Sequence, residues 1–171
     1  LLPERAAQLE SLRRRLLDQC VTWGYRYVIP PLVEFTDSLL IGLGAALDVV
    51  TCKFTDQMSG RMLGVRADIT PQTARMDAHS LAEDGVTRLC YAGSTLQSTP
   101  QSVGSGRAPI QLGAELYGSN SIEADSEVIT LMLSMFEAAG VTRSLTLDIG
   151  HIGIYDALFS EVGLGPDVEA E

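Results

Sequence analysis

The chain has 171 residues, of which 46% are hydrophobic and 20% charged, a composition typical of a globular protein. Its 22 acidic and 12 basic residues give a formal charge of −10, which would repel phosphate backbones and so disfavours nucleic-acid binding. No apolar run approaches the roughly 18 residues that a membrane-spanning helix needs, and no secretory signal precedes the first predicted helix. We therefore expect a cytoplasmic globular protein that binds neither nucleic acid nor membranes.

Helical spacing of apolar residues, alternation of apolar and polar residues, and turn-forming residues together predict the secondary structure. Hairpin-like strand pairs, with helices at only some connections, predict an α+β fold with a largely antiparallel sheet and helices on one face. In chain order we expect a helix over 4–23, a strand over 25–29, a loop with a helical turn over 36–50, paired strands over 51–56 and 61–66, a helix over 70–82, a strand over 88–96, a loop over 98–107, a strand over 110–117, a helix over 122–139 and a strand over 145–149.

The cysteines and histidines predict no metal site. Cys20, Cys52 and Cys90 are widely separated, and an odd number without a short spacing matches neither a disulfide framework nor a zinc site. His79 and His151 stand outside any metal-ligand pattern such as H-E-x-x-H. We therefore expect neither a metal nor another cofactor.

The polar face of the strand over 110–117 is a candidate ligand surface. It carries Gln111, Gly113 and Glu115, with the two polar side chains about 13 Å apart along an extended strand. A central glycine costs stability and often allows a ligand or another backbone to approach closely. Gln can donate and accept hydrogen bonds, and Glu can hold an ammonium group. The alternative is that this face is simply the solvated side of an antiparallel sheet.

A second candidate lies just before the helix over 70–82. Alternation would put Arg66, Asp68 and Thr70 on one side of the chain. Thr70 followed by Pro71 predicts a helix start with Thr70 as the N-cap, where Asp68 would be structural. Alternatively, Asp68 pairs with an ammonium group of a ligand.

The loop over 98–107 is rich in glycine and contains Arg107, a composition that could suit a phosphate. It contains neither G-x-x-x-x-G-K-[ST] nor G-x-G-x-x-G, and Gly42-Leu43-Gly44 lacks the third glycine of a dinucleotide motif. No serine stands in a G-x-S-x-G nucleophile elbow. These features favour a binding pocket over a catalytic one.

Several stretches, in order along the chain, resemble the catalytic core of class II aminoacyl-tRNA synthetases, and particularly the histidyl enzymes. The helix over 4–23 and the segment from Tyr27 to Leu32 are similar to motif 1, which forms the dimer interface in that family. The resemblance therefore places Tyr27, Ile29 and Pro30 at a dimer interface. The run Arg-Leu-Cys-Tyr-Ala-Gly over 88–93 is similar to the start of motif 2.

The same resemblance implies a histidine-binding site. The run Gln-Leu-Gly-Ala-Glu-Leu-Tyr-Gly over 111–118 is similar to the strand that cradles histidine, which implies that Gln111 and Glu115 contact the ligand. The segment containing Asp68 and Thr70 resembles the loop whose acidic residue and threonine hold the same ligand, with Asp68 where the family has glutamate. Arg107 resembles a second arginine of the family, and the resemblance assigns it to the same histidine-binding site.

The chain departs from the synthetases in motif 2. Aligned on Tyr91-Ala92-Gly93, Gln97 stands where those enzymes carry the arginine that clamps the α-phosphate of ATP, and Thr99 replaces the glutamate two residues later. Without that arginine the developing charge of adenylyl transfer loses its stabilisation. The resemblance therefore implies that the chain does not activate amino acids.

A histidyl-synthetase-like core without the ATP clamp is similar to the regulatory subunits of ATP phosphoribosyltransferase. The resemblance covers residues 1–160, including the stretches 63–118 and 147–151, and 161–171 would begin a truncated continuation. It implies a non-catalytic subunit that dimerises, binds a short-form catalytic subunit and transmits feedback inhibition by histidine in histidine biosynthesis. The alternatives are a divergent histidyl-tRNA synthetase and a free-standing histidine sensor.

Overall fold

The computed structural model describes residues 1–41, 45–100, 106–141 and 143–162. The chain packs as two units, residues 1–141 and 142–171. The Gly42-Leu43-Gly44 run lies outside the described residues, as do the middle of the predicted 98–107 loop and nearly all of the predicted continuation over 161–171. The division near residue 160 therefore remains a prediction.

Most predicted elements are confirmed, with shifts of a few residues at their ends. A π-helical segment over Met76–Leu81 follows α4 directly, where the sequence predicts one continuous helix to residue 82. The helices are α1 (Pro3–Thr22), α2 (Thr36–Leu39), α3 (Ala45–Val50), α4 (Thr70–Arg75), α5 (Ile122–Ala138) and α6 (Ile152–Val162). The strands are β1 (Arg26–Tyr27), β2 (Val33–Phe35), β3 (Cys52–Thr55), β4 (Met62–Val65), β5 (Thr87–Ser94) and β6 (Ile110–Tyr117).

The described strands form two three-stranded sheets. In the first, β5 lies between β1 and β6, parallel to β1 and antiparallel to β6. In the second, β4 lies between β2 and β3, and both pairs are antiparallel. The expected α+β fold with largely antiparallel pairing is confirmed, and β1–β5 is the parallel exception among the described strands.

One face of the first sheet carries the main apolar core. Helices α1 and α5 pack on this face, and the buried cluster between them and the sheet joins Leu17, Cys20, Tyr25, Cys90 and Leu131. Apolar residues at helical spacing on both helices supply the stripes that this sheet face needs for burial.

The opposite face of the same sheet is also covered, so the prediction of helices on one face is wrong. Successive strand residues point to opposite faces, and while Cys90 belongs to the α1–α5 core, its neighbour Tyr91 contacts Thr70 at the start of α4. Cys90 and Tyr91 are both buried. A strand covered on both faces loses the alternation that marks a half-exposed sheet.

Two predictions about strands are corrected. β2 is missing from the prediction because it is only three residues long and is stabilised by pairing with β4, not by its own sequence pattern. The predicted strand over 145–149 is wrong, because these residues are not in a strand in the structure. Alternation suits a strand, but a strand forms only with a hydrogen-bonding partner. Helix α6, which the sequence analysis does not predict, begins directly after this segment.

Candidate functional site

Gln111 joins strand β6 to the segment that precedes α4. Its side-chain nitrogen Nε2 donates to Asp68 Oδ1 at 2.7 Å, and its oxygen Oε1 accepts from the backbone N–H of Ile69 at 3.0 Å. Asp68 Oδ1 also accepts from the backbone N–H of Thr70 at 3.0 Å. The structure therefore brings three of the predicted site residues, Asp68, Thr70 and Gln111, into one hydrogen-bonded group.

At the start of α4 the Asp68 carboxylate, and not the Thr70 hydroxyl, accepts a backbone N–H bond, the one from Thr70. Helix α4 starts at Thr70, its N-cap is Ile69, and the Thr70 hydroxyl makes no capping bond. The prediction of Thr70 as the N-cap is thus wrong by one residue. Because the Asp68 carboxylate binds the Thr70 N–H, the Thr70 hydroxyl is left to bond elsewhere.

Tyr91 links Thr70 to Glu115. Its phenol oxygen lies 2.9 Å from Thr70 Oγ1 and 3.0 Å from Glu115 Oε1. Because the single phenol proton goes to the carboxylate, the Thr70 hydroxyl is the donor to Tyr91. Burial, with the nearby negative charge of Glu115, raises the pKa of Tyr91 above its usual range, so the phenol keeps this proton. Tyr91 therefore connects the fourth predicted residue, Glu115, to the group.

The glycine at the centre of β6 accommodates this tyrosine. Gly113 is paired directly opposite Tyr91, and a Cβ atom at residue 113 would lie 2.4 Å from the phenol oxygen. A glycine at this position predicts the close approach of a ligand or of another backbone. In the structure the group that approaches Gly113 is the Tyr91 ring. Tyr91 is a site residue that the sequence analysis misses, and the cross-strand glycine was the signal that could have identified it.

A cleft of about 310 Å³ opens beside Asp68 and Gln111. The side chain of Gln97 is nearly buried and lines the same cleft. No cationic side chain is among the described residues of this lining, whereas Asp68 contributes a carboxylate. The cleft is therefore suited to a ligand group that donates hydrogen bonds or carries positive charge. Its remaining lining residues are Leu47, Ala67, Thr95, Pro109 and Ile110.

The structure does not bring Arg107 together with the other predicted residues. Its side-chain Nε donates to the Gln97 carbonyl at 2.9 Å, and its Nη2 lies 3.6 Å from Cys52 Sγ. The Gln97 N–H donates to the Arg107 carbonyl at 2.8 Å, which continues the β5–β6 pairing beyond the strand ends. Arg107 is exposed and, among the described contacts, stabilises the base of this hairpin.

Arg66 is buried and does not join the hydrogen-bonded group of Asp68 and Thr70, although alternation predicts all three on one side of the chain. Only 5% of the residue is exposed, and its guanidinium donates to the carbonyls of Pro30 at 2.6 Å and Ser94 at 2.9 Å. It lies directly over Gly93, where a Cβ atom would be 2.3 Å from Nη2. Burial lowers the pKa of Arg66 from its usual value, partly offset by the charge of Glu34. Arg66 thus ties the chain after β4 to the first sheet.

The three residues assigned to a dimer interface differ in accessibility. Tyr27 and Ile29 are 40% and 75% exposed, whereas Pro30 is buried and its carbonyl accepts the bond from Arg66. Strand β1 lies at one edge of its sheet, with β5 as its partner. An exposed edge with apolar side chains is the kind of surface that a partner strand or helix covers.

Across the described ranges, no three histidine, cysteine or acidic side chains are grouped so that they could hold a metal ion. The described helices include none with the length and apolar character required to cross a membrane.

Comparison with known proteins gives concordant matches. The family model described as histidyl-tRNA synthetase matches residues 1–171. Proteins named ATP phosphoribosyltransferase regulatory subunit from Marinobacter nauticus and Saccharophagus degradans are each 54% identical to the chain over 170 and 168 residues, which is 99% and 98% of it. The chain spans only 43% and 42% of those relatives.

A solved structure described as an ATP phosphoribosyltransferase regulatory subunit/histidyl-tRNA synthetase from Bacillus halodurans has the same fold. It superposes with a TM-score of 0.71 at 31% identity and covers 81% of this chain and 36% of its own. The family model covers the elements that carry Asp68, Gln111 and Glu115. The chain belongs to the histidyl-tRNA synthetase family.

Proposed function

We propose that this chain is part of a non-catalytic regulatory subunit of ATP phosphoribosyltransferase, acting in the first step of histidine biosynthesis and in its feedback regulation. The observation that carries the proposal is the hydrogen-bonded group of Asp68, Thr70, Gln111 and Glu115, beside a cleft that Gln97 lines. The resemblance in motif 2, which aligns Gln97 with the synthetase arginine, supports it. The names of the relatives support the same assignment.

Histidine is the ligand proposed for this site. The carboxylates of Asp68 and Glu115 suit an α-ammonium group, since charge-assisted hydrogen bonds are roughly twice as strong as neutral ones. The cleft volume of about 310 Å³ lies at the lower end of the range for small-molecule sites. Arg107 is not included in the ligand contacts, because its guanidinium is engaged at the Gln97 carbonyl.

The proposed subunit binds histidine without activating it. Adenylate formation requires positive charge at the α-phosphate of ATP, and the neutral amide of Gln97 cannot supply it. Arg66 is not a substitute, because main-chain carbonyls surround its guanidinium. No metal or other cofactor enters the proposal.

The proposed partners are a short-form catalytic subunit and a second copy of the chain, in a cytoplasmic hetero-oligomer. Exposure of Tyr27 and Ile29 at the β1 edge supports a self-dimer through α1 and β1. Pro30 would contribute through the position of its backbone, because its side chain is buried.

Reconstitution tests the proposed function. The native full-length protein is added to the short-form catalytic subunit from the same source, and phosphoribosyl-ATP formation is followed with and without histidine. We expect activity that depends on this protein and is inhibited by histidine. Activity that is independent of the protein, and equally sensitive to histidine without it, would refute the proposal.

Glu115→Gln tests the ligand site. Loss of the charge that meets the α-ammonium is expected to weaken histidine binding about tenfold or more, measured by calorimetry. Glu137→Gln is the matched control, because this glutamate is exposed on α5, away from the site, and should leave the affinity unchanged. Equal affinities of Glu115→Gln and the unaltered protein would remove Glu115 from the site.

A divergent histidyl-tRNA synthetase is the second candidate, favoured by the family model that matches the whole chain. Histidine-dependent exchange of pyrophosphate into ATP, well above background, would establish it and exclude the regulatory assignment. A free-standing histidine sensor would purify from its host without a phosphoribosyltransferase.

A further inference from the structure

Two of the three cysteines meet in the main apolar core, on the face of the first sheet opposite the candidate ligand site. Cys20 on α1 and Cys90 on β5 lie far apart in the chain, and both are 0% exposed. Their thiols are hydrogen-bonded: this bond lowers the pKa of Cys20, and the same bond together with burial raises the pKa of Cys90. Cys90 is therefore the donor, and the sulfur of Cys20 is the acceptor.

A methionine brings a third sulfur atom to this pair. The Cys20 thiol donates to Sδ of Met135 on α5, with 4.0 Å between the two sulfur atoms. Helices α1 and α5 and strand β5 thus each contribute one sulfur atom to the same part of the core. The spacing of the cysteines along the chain predicts no metal site, because the fold, and not the order of the residues, brings them together with Met135.

A cleft gives access to this sulfur cluster. Its volume is about 390 Å³, and it lies between α1, β6 and α5 with a largely apolar described lining. Met135 lines the cleft and also contacts Cys20, so it connects the cleft to the buried thiols. Met132, about one turn earlier on α5, lines the same cleft and is 38% exposed.

We propose that Cys20 and Met135 bind a monovalent soft cation of the class of Cu(I) and Ag(I), with Cys90 orienting the Cys20 sulfur. Soft sulfur ligands select Cu(I), zinc or iron–sulfur clusters, but structural zinc and the clusters are held by four ligands. Three sulfur atoms meet here among the described residues. The site is independent of the proposed function, because it lies on the other face of the sheet.

The distance between Cys20 and Met135 fits one shared cation. A metal–sulfur bond to a thiolate is about 2.3 Å long. Two sulfur atoms 4.0 Å apart therefore both reach a cation placed between them. A hydrogen bond from Cys90 to the Cys20 sulfur is the kind of outer contact that orients a metal ligand and tunes its affinity.

Binding exchanges one proton for one cation. The S–H bond of Cys20 breaks, its proton goes to solvent, and its sulfur bonds the cation, while Met135 supplies a lone pair from Sδ. Cys90 keeps its thiol proton and donates to the Cys20 sulfur. One thiolate and one monovalent cation are together neutral, which suits an apolar core where an uncompensated charge is costly.

Metal titration of the native full-length protein tests this inference. The reduced protein competes with bicinchoninate for Cu(I) without oxygen, and Ag(I) is titrated by calorimetry. Met135→Leu removes the thioether at nearly constant volume, and Met58→Leu is the matched control because Met58 is 98% exposed. We expect Met135→Leu to weaken Cu(I) binding about tenfold or more and Met58→Leu to leave it unchanged. Equal Cu(I) affinities of the two variants would overturn the inference.

The three cysteines are compared in the same competition. Cys20→Ala should abolish binding, and Cys90→Ala should weaken it about tenfold because it removes only the hydrogen-bond donor. Cys52→Ala should leave the Cu(I) affinity unchanged, since Cys52 lies on β3 outside the core cluster. Binding that persists in Cys20→Ala, or that disappears in Cys52→Ala, contradicts the assignment.

X-ray absorption at the copper edge of the unaltered protein is a measurement that does not depend on the folding of any variant. We expect sulfur neighbours of Cu(I) at about 2.3 Å. Nitrogen or oxygen neighbours instead of sulfur, or a failure to retain Cu(I) against bicinchoninate, would reject the site. Neither result bears on histidine binding or on the reconstitution with the catalytic subunit.

Discussion

Gly113→Ala is expected to disrupt the structure through the tyrosine on the opposite strand. The added methyl would lie 2.4 Å from the Tyr91 hydroxyl oxygen and 2.5 Å from Cζ of its ring. Both distances are shorter than any normal van der Waals contact, so the ring must move. The hydroxyl then loses its positions against Thr70 and Glu115.

Three contributions set the size of the effect. Overpacking a well-filled interior typically costs about 1–3 kcal/mol. Loss of a hydrogen bond to a charged group costs about 1.5–3 kcal/mol more. Replacing glycine by alanine restricts the unfolded chain, which stabilises the folded state by about 0.4–1 kcal/mol. The free energy of unfolding should therefore fall by about 1.5–5.6 kcal/mol.

Urea unfolding followed by the fluorescence of Trp23 measures this change. Trp23 is the single tryptophan and packs against the main core cluster, so its emission reports unfolding of the 1–141 unit. Gly106→Ala is the control, because a Cβ there meets nothing within 4 Å and its φ is not positive. If Gly113→Ala proves as stable as Gly106→Ala, Tyr91 does not occupy the space over Gly113 and the site geometry is wrong.

The remaining predictions concern ionisable side chains outside the Tyr91–Gly113 contact. Arg88 contacts Glu127 at 2.7 Å and, with Tyr25, lowers the pKa of that carboxyl below its usual 4.5. The ionised Glu127 therefore stabilises the folded state. This stabilisation is complete above pH 4.5 and is lost as the pH falls through the lowered pKa. The stability difference between the unaltered protein and Glu127→Gln, measured by urea unfolding, should therefore shrink on going from neutral pH to below pH 4, and a constant difference would contradict the reasoning. Burial and the charge of Glu115 raise the pKa of Tyr117 to about 12, and its hydroxyl is buried without a hydrogen-bond partner among the described residues. Tyr117→Phe removes this desolvated group and should leave the melting temperature unchanged or raise it, whereas a clear decrease would indicate a partner for the hydroxyl.

Elements with strong local patterns could be predicted from the sequence. Helices α1 and α5 repeat apolar residues at helical spacing, and β6 alternates over eight residues, so each is specified by its own residues. β2 could not be predicted in this way, because its three residues are ordered by pairing with β4. The segment over 145–149 shows the converse: its alternation is as clear as that of β6, but no strand pairs with it in the described chain.

The candidate site was predictable as a set of residues but not as a geometry. Asp68 and Gln111 could be singled out by type and position, yet their bond depends on how the α4 segment packs on β6. The contact between Tyr91 and Gly113 depends on the β5–β6 register, which a shift of one residue would abolish. Alternation placed Arg66 beside Asp68, but the chain leaves β4 at Val65, after which the strand periodicity no longer applies.

The charged residues around the cleft favour binding of a cationic group over binding of a phosphate. Asp68 lines the cleft and can meet a cationic group. Arg66 and Arg107 are bonded to main-chain carbonyls, Arg66 at Pro30 and Ser94 and Arg107 at Gln97. A triphosphate in this cleft would therefore face the Asp68 carboxylate and the neutral amide of Gln97 instead of a clamp of positive charge. Adding one charge, with Gln97→Arg, is not expected to produce histidine-dependent ATP–pyrophosphate exchange, because the predicted motif-2 alignment still has Thr99 where the synthetases carry a glutamate. Detectable exchange by that variant would show that the remainder of the ATP site is intact, and would place this chain much closer to the catalytic members of its family.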